Sequence, residues 1–207
     1  MNSRKSSELL IATGNEGKIT ELREMLAEFP LYILSLSDFP EAIDVAETGD
    51  TFCENALLKA RGYARQTALI ALADDSGLEV AGLDGRPGVL SARYGGDAMP
   101  FSEKMKKLLN ELAESGDTTR RARFVCSIVV AAPDGEILCR ADGICGGLIA
   151  DEPRGVGGFG YDPIFIPDGF DKTFGELSAD VKREISHRGR AFSHIIQFLR
   201  DYYGELT

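Results

Sequence analysis

The sequence predicts an α/β fold built on a mixed β-sheet. Three observations carry that prediction. The chain opens strand–helix–strand, the order that feeds a parallel sheet. The stretch Phe124 to Ala131 is apolar on both strand faces, the mark of a strand inside a sheet. Directly after it, Pro133-Asp134-Gly135 turns the chain so that it can return antiparallel. The length of 207 residues suffices for one large domain or two small lobes.

The elements follow in order. Glu8 to Thr13 is a short apolar strand, and Ile19, Leu22, Leu26 and Phe29 recur at helical spacing. Leu31 to Leu36 is a second strand. Thr51-Phe52-Cys53-Glu54 fits a capping box, and Ala56, Leu57, Ala60 and Ala64 continue a helix face. Ala68 to Ala73 is a buried strand that is expected to break at Asp74-Asp75-Ser76-Gly77. Phe101 to Ala113 is a helix after Pro100. Beyond the turn at 133–135, Glu136 to Ala141 forms the returning strand. The glycine-rich stretch Gly143 to Gly160 reads as loops around a site, and Tyr161 to Pro167 holds one more short strand. Ser178 caps a short helix. A longer helix follows Gly189, with Ala191, Phe192, Ile195, Leu199 and Tyr202 on its apolar side. Met1 to Ser7 reads as a short extension without a role.

Composition narrows the function. A net charge of −10 disfavours general affinity for nucleic acid or anionic membranes. An anionic small substrate then needs a local cluster of Lys and Arg, a metal ion, or both. The apolar runs are too short to span a bilayer or to form a signal peptide, which implies a cytoplasmic protein. Cys53, Cys126, Cys139 and Cys145 form no Cys-x-x-Cys pair, and the histidines are His187 and His194. Reduced, mostly buried thiols are expected rather than a zinc site.

Four segments carry chemistry. Asp74 and Asp75 adjoin at the end of a buried strand, where two carboxylates repel and lose hydration; a cation or several donors would offset that cost. The alternative is an Asp-rich turn with a helix cap. Glu47, just before the second helix, is either a solvated loop carboxylate or a third oxygen ligand beside them. An oxygen-rich site without His or Cys suits magnesium. Lys59 then faces either the same phosphates or solvent. Thr13-Gly14-Asn15-Glu16-Gly17-Lys18 lies between the first strand and first helix, where free N–H groups attract phosphate; the alternative, which the segment alone favours, is a Gly-containing loop with an exposed Lys. It is not a Walker A loop, because Ala12 and Ile19 stand where that pattern needs Gly and Ser or Thr. Phe159 and Tyr161 would share a face in extended chain, with glycines leaving room for a flat base. The alternative is a core Phe and Tyr beside a bulge. Ser186-His187-Arg188-Gly189, with Lys182 upstream, clusters cationic donors at a helix start. Their charge opposes the helix dipole there, which favours a ligand role. His194 is expected to be structural.

Taken in order, these segments closely resemble the inosine triphosphate pyrophosphatase family. The matching pieces are TGNEGK at 13–18, ETGDTFCENALLKA at 47–60, ADDSGLEV at 73–80, PGVLSARYGG at 87–96, GGFGYDPIF at 157–165 and SHRG at 186–189. The resemblance covers nearly the whole chain as a single domain, 1–207. It implies an elongated two-lobed α/β fold around a mixed sheet, a substrate cleft between the lobes, and a homodimer. It implies hydrolysis of non-canonical purine nucleoside triphosphates to the monophosphate and pyrophosphate. Asp75 would be the catalytic carboxylate and a Mg2+ ligand, and Glu47 a second ligand, with direct ligation by Asp74 left open. Thr13, Gly14, Asn15, Glu16, Gly17, Lys18 and Ser76 would hold triphosphate and sugar. Phe159, Gly160, Tyr161, Asp162, Lys182, His187 and Arg188 would hold the base. The rival readings are a non-catalytic purine-nucleotide sensor, which would not need both Asp75 and Glu47, and a pyrophosphatase for another modified nucleotide.

Overall fold

The computed structural model describes residues 7–204, so residues 1–6 of the expected Met1–Ser7 extension lie outside the described residues. The strands are β1 (Glu8–Ile11), β2 (Tyr32–Ser35), β3 (Ile70–Val80), β4 (Arg121–Ala131), β5 (Ile137–Ile149) and β6 (Phe165–Pro167). The α-helices are α1 (Glu16–Leu26), α2 (Phe52–Thr67), α3 (Phe101–Ser115), α4 (Ala179–Ile185) and α5 (His187–Tyr203). One six-stranded sheet runs β2-β1-β3-β4-β5-β6. β1 pairs parallel with β2 and β3, and β5 pairs antiparallel with β6, so the sheet is mixed as expected. Among the described residues no helix is long and apolar enough to cross a membrane.

The chain divides into two compact units. One comprises 1–75, 127–142 and 191–207; the other comprises 76–126 and 143–190. In the first, Ala56, Ala60 and Ala64 of α2 pack with Ala71 and Ala73 of β3 and with Leu10 of β1. Small residues on both sides let a helix lie close to a sheet. The capping box that starts α2 is present: Thr51 Oγ accepts from Glu54 N, and the Glu54 carboxylate accepts from Thr51 N. The second unit has its own core of Leu78, Leu108, Leu112, Phe124, Phe165 and Phe174 among others.

Four expectations about elements are corrected. The strand expected to end at Ala73 continues to Val80, so the two Asp residues lie inside β3 rather than in a turn. The β1 ladder covers Ile70 to Leu72, and the strand runs on past it in the sheet with β4 as its other neighbour. Ala68, expected in this strand, instead ends α2 in the left-handed conformation. The returning strand extends past Ala141 to Ile149, through glycines expected to be loop. At Gly147 a Cβ would stand 2.2 Å from the Ile166 carbonyl, so the absent side chain is what lets β6 lie alongside. The segment after Gly157 is not extended: Gly158 and Gly160 have φ of 68° and 64°, and residues 162–164 form a 3-10 turn.

Candidate active site

In the first unit, two polar side chains of α2 reach Asp75. α2 presents Phe52, Asn55, Ala56, Lys59, Ala60 and Tyr63 as its buried face. That face is apolar except at Asn55 and Lys59, one turn apart. Asn55 is fully buried; its Oδ1 accepts from Gly49 N at 2.8 Å, and its Nδ2 lies 3.4 Å from Asp75 Oδ2. Lys59 Nζ donates to Asp75 Oδ1 at 2.9 Å and contacts Glu47 Oε1 at 3.2 Å. One ammonium therefore holds the two carboxylates that the sequence singled out. Gly49 keeps the Glu47 loop against the helix, since a Cβ there would be 2.5 Å from Glu54 Cβ. Asp74, fully buried, pairs with Lys18 at 3.1 Å.

Burial raises the Asp75 pKa above its ordinary value, and the Lys59 and Lys18 ammoniums only partly offset it. Burial also works against charge on Lys59. Asp75, Asp74 and Glu47 together outweigh that and hold the Lys59 pKa above its ordinary value. The outcome is a carboxylate that takes a proton more readily than a surface Asp, beside a lysine that stays cationic.

The loop entering α1 keeps its backbone open. Asn15 caps the helix by accepting from Lys18 N at 3.1 Å, and Thr13 Oγ1 accepts from Asn15 N at 3.3 Å. Nothing lies within 4 Å of a Cβ placed on Gly14. Glu16 is exposed and Gly17 half-buried.

In the second unit, Asp162 anchors a cationic and aromatic cluster. Its carboxylate accepts from Phe159 N at 2.7 Å and pairs with Lys182. The Lys182 ammonium stands 4.7 Å, and the Arg188 guanidinium 5.6 Å, from the half-buried Phe159 ring centre. Arg188 donates to Ser76 Oγ at 2.9 Å. The His187 ring stacks on Phe124 at 4.6 Å. Gly158 is required, because a Cβ there would meet Asp162 Oδ2 at 2.0 Å. Gly160 follows Phe159 and borders Phe101.

Tyr161 does not join Phe159 on one face, contrary to the extended-chain expectation. It is 3% exposed, packs edge-on against Phe101 at 5.4 Å, and donates its hydroxyl to Ser91 O at 3.1 Å. The turn conformation at 158–161 rotates it into the core. His194, expected to be structural, is exposed on α5. Asn55 was not among the expected site residues, and Lys59 was only an open alternative. Their signal is polar side chains on an otherwise apolar helical face.

The donor set fits magnesium. Among the described residues no group of three or more His, Cys, Asp and Glu gathers as a self-sufficient metal cage. Magnesium does not need one: it binds through one or two carboxylates together with substrate phosphates. Glu47 and Asp75, already gathered on one cation, supply that minimum.

Comparison with known proteins agrees with the motifs. The model of the Ham1 family matches residues 9–198. A dITP/XTP pyrophosphatase from Bacillus anthracis is 44% identical over 197 residues, covering 95% of this chain and 98% of its own. One from Nostoc sp. is 46% identical over 188 residues, covering 91% and 92%. A solved HAM1 protein from Coxiella burnetii is 40% identical, with a TM-score of 0.85 over 94% of this chain and 98% of that one. The Staphylococcus aureus Ham1 protein is 42% identical, with a TM-score of 0.81 and coverage of 94% and 98%.

Proposed function

This chain belongs to the Ham1 family, and from that premise we propose that it hydrolyses non-canonical purine nucleoside triphosphates, such as those of hypoxanthine and xanthine, to the monophosphate and pyrophosphate. The observation that carries the catalytic part is the Lys59 ammonium shared by Asp75 and Glu47. A nucleotide sensor has no use for a buried carboxylate held on one ammonium with a second, half-buried one, so this pairing favours the enzyme.

Asp75 is the base. Two of its lone-pair sites are engaged by Lys59 and Asn55, and a carboxylate has others with which to accept a proton from water. Water loses that proton to Asp75, its oxygen bonds to the α-phosphorus, and the bond from the α-phosphorus to the bridging oxygen breaks. Pyrophosphate leaves with the bonding pair. Asn55 and Lys59 hold the Asp75 carboxylate in orientation. Glu47 and Asp75 would hold Mg2+, which supplies neutralisation of charge on the phosphate oxygens. Lys18 and the open backbone at Thr13 to Gly17 hold the phosphates, and Ser76 the sugar. The half-buried Phe159 ring stacks the base. Lys182, His187 and Arg188 supply donors to the 6-oxygen of hypoxanthine or xanthine, where adenine would present a clashing amine. Tyr161 supports this loop from the core. By family likeness we propose a cytoplasmic homodimer, for which sedimentation should give twice the chain mass of 22.4 kDa.

The test is Asp75→Asn. Turnover of inosine triphosphate should fall on the order of 100-fold or more, with substrate binding less affected. Near wild-type turnover would remove Asp75 from the mechanism.

A further inference from the structure

Among the described residues, the reaction above leaves one buried lysine unused. Lys104 lies on the inner side of α3 beside Met105, Leu108 and Leu112, with 1% of its surface exposed. An apolar side chain would serve packing there, and burying an ammonium is costly. Its partners are two carbonyls and a ring face. It donates to Ala92 O at 2.6 Å and to Gly96 O at 2.8 Å, and stands 5.6 Å from the Phe101 ring centre.

The clamped segment leads to the base-reading loop. Ser91, next to Ala92, is buried; its hydroxyl accepts from Leu78 N at 2.9 Å and donates to Gly88 O at 2.6 Å. Its carbonyl accepts the Tyr161 hydroxyl at 3.1 Å. The Tyr161 ring meets Phe101 edge-on, and a Phe101 ring carbon lies 3.6 Å from where a Gly160 Cβ would stand. Phe101 in turn lies under Lys104. The contacts close a circuit from Lys104 through Ala92 and Ser91 to Tyr161, then Phe101, and back. Two of its members flank or touch the residues that follow Phe159.

We propose that Lys104 is a positioning residue for base recognition: by pinning the Ala92 and Gly96 carbonyls it fixes Ser91, hence Tyr161, hence the plane of Phe159. This rests on the reading of Phe159, Lys182, His187 and Arg188 as the base-reading cluster. Lys104 touches no substrate.

Lys104→Met keeps the methylene stem and removes the ammonium. Lys104→Arg keeps charge and donors. Tyr161→Phe removes only the hydroxyl that reaches Ser91. The first readout is amide exchange without nucleotide. In Lys104→Met, exchange across 157–163, including the Phe159 amide, should accelerate about tenfold, the scale of one lost hydrogen bond to a charged donor. Exchange in α2 should not change. The second readout is kinetics with inosine triphosphate. KM should rise about tenfold with kcat within about twofold, Tyr161→Phe should move KM in the same direction, and Lys104→Arg should restore part of it. The double variant should cost less than the product of the single effects, as members of one circuit do. Unchanged exchange at 157–163 in Lys104→Met overturns the proposal whatever the substrate proves to be. Faster exchange with unchanged KM overturns it too, leaving Lys104 as a local clamp. If Lys104→Met does not fold, Tyr161→Phe decides alone: no change in exchange or KM refutes the circuit. Failure of the wild type to hydrolyse any purine triphosphate would count against the proposed function, while the exchange readout still judges the circuit.

Discussion

Replacing Lys59 with Met would leave Asp75 and Glu47 facing each other without their shared cation. At the 2.9 Å separation of Lys59 and Asp75, an effective dielectric near 20 gives an attraction of about 6 kcal/mol. Part of that only offsets the burial of both groups. Removing one partner of a buried pair costs about 3–5 kcal/mol, so the melting temperature should fall by roughly 6–20 °C for a chain of this size. The loss should depend on pH in a definite sense. In the wild type, burial already raises the Asp75 pKa, so folding loses stability as pH rises through the carboxylate range. Without Lys59 its lowering contribution disappears, leaving Lys18 alone against burial and Glu47, and the window of loss extends to higher pH. The deficit of Lys59→Met should therefore be largest near pH 8 and shrink near pH 5, where Asp75 is protonated more readily. The assay is urea unfolding followed by far-ultraviolet circular dichroism, since the chain has no Trp, with a chelator present. An equal deficit at both pH values, or none, would refute the argument that this lysine holds Asp75 ionised.

Two further predictions follow from the same contacts. Arg188→Ala should sharply lower kcat/KM for inosine triphosphate and shrink its advantage over adenosine triphosphate, with the inosine-to-guanosine ratio changing much less; an unchanged inosine-to-adenosine ratio would assign Arg188 to sugar or phosphate, in keeping with its bond to Ser76. Burial pushes the Cys145 thiol up to about 11, so about one molecule in a thousand carries its thiolate at pH 8. Peptide mapping after alkylation should show Cys145 unmodified in the folded protein and modified in urea; rapid native labelling would contradict its buried setting.

The readable parts of this chain were those governed by local chemistry. The Thr51–Glu54 capping box, the helical spacing at Ile19 and Leu22, and the turn at Pro133-Asp134-Gly135 each depend on neighbours a few residues away, and each is present. The errors lie where the sheet overrides local preference. Asp74-Asp75-Ser76-Gly77 has turn composition, yet it lies inside a strand that runs on from the β1 pairing at Ile70–Leu72 to Val80. Gly143 to Gly147 resembles loop, yet it is strand, and the bare Cα of Gly147 admits β6 beside it. At the site, the residue types around Asp75 were legible as a set that wants a cation, but not which cation. That depends on the rotation of α2, which turns Lys59 inward and makes Asn55 a second anchor. Tyr161 was misplaced because two positive-φ glycines, at 158 and 160, replace an extended segment with a turn.

The central claim is attack at the α-phosphorus by water that Asp75 deprotonates. It is tested most directly by hydrolysing inosine triphosphate in heavy-oxygen water and locating the label by mass spectrometry. The account predicts one heavy oxygen in the inosine monophosphate and none in the pyrophosphate, with Asp75→Asn slowing label uptake in parallel with turnover. Label in pyrophosphate, or orthophosphate as the first product with the diphosphate left behind, would contradict it.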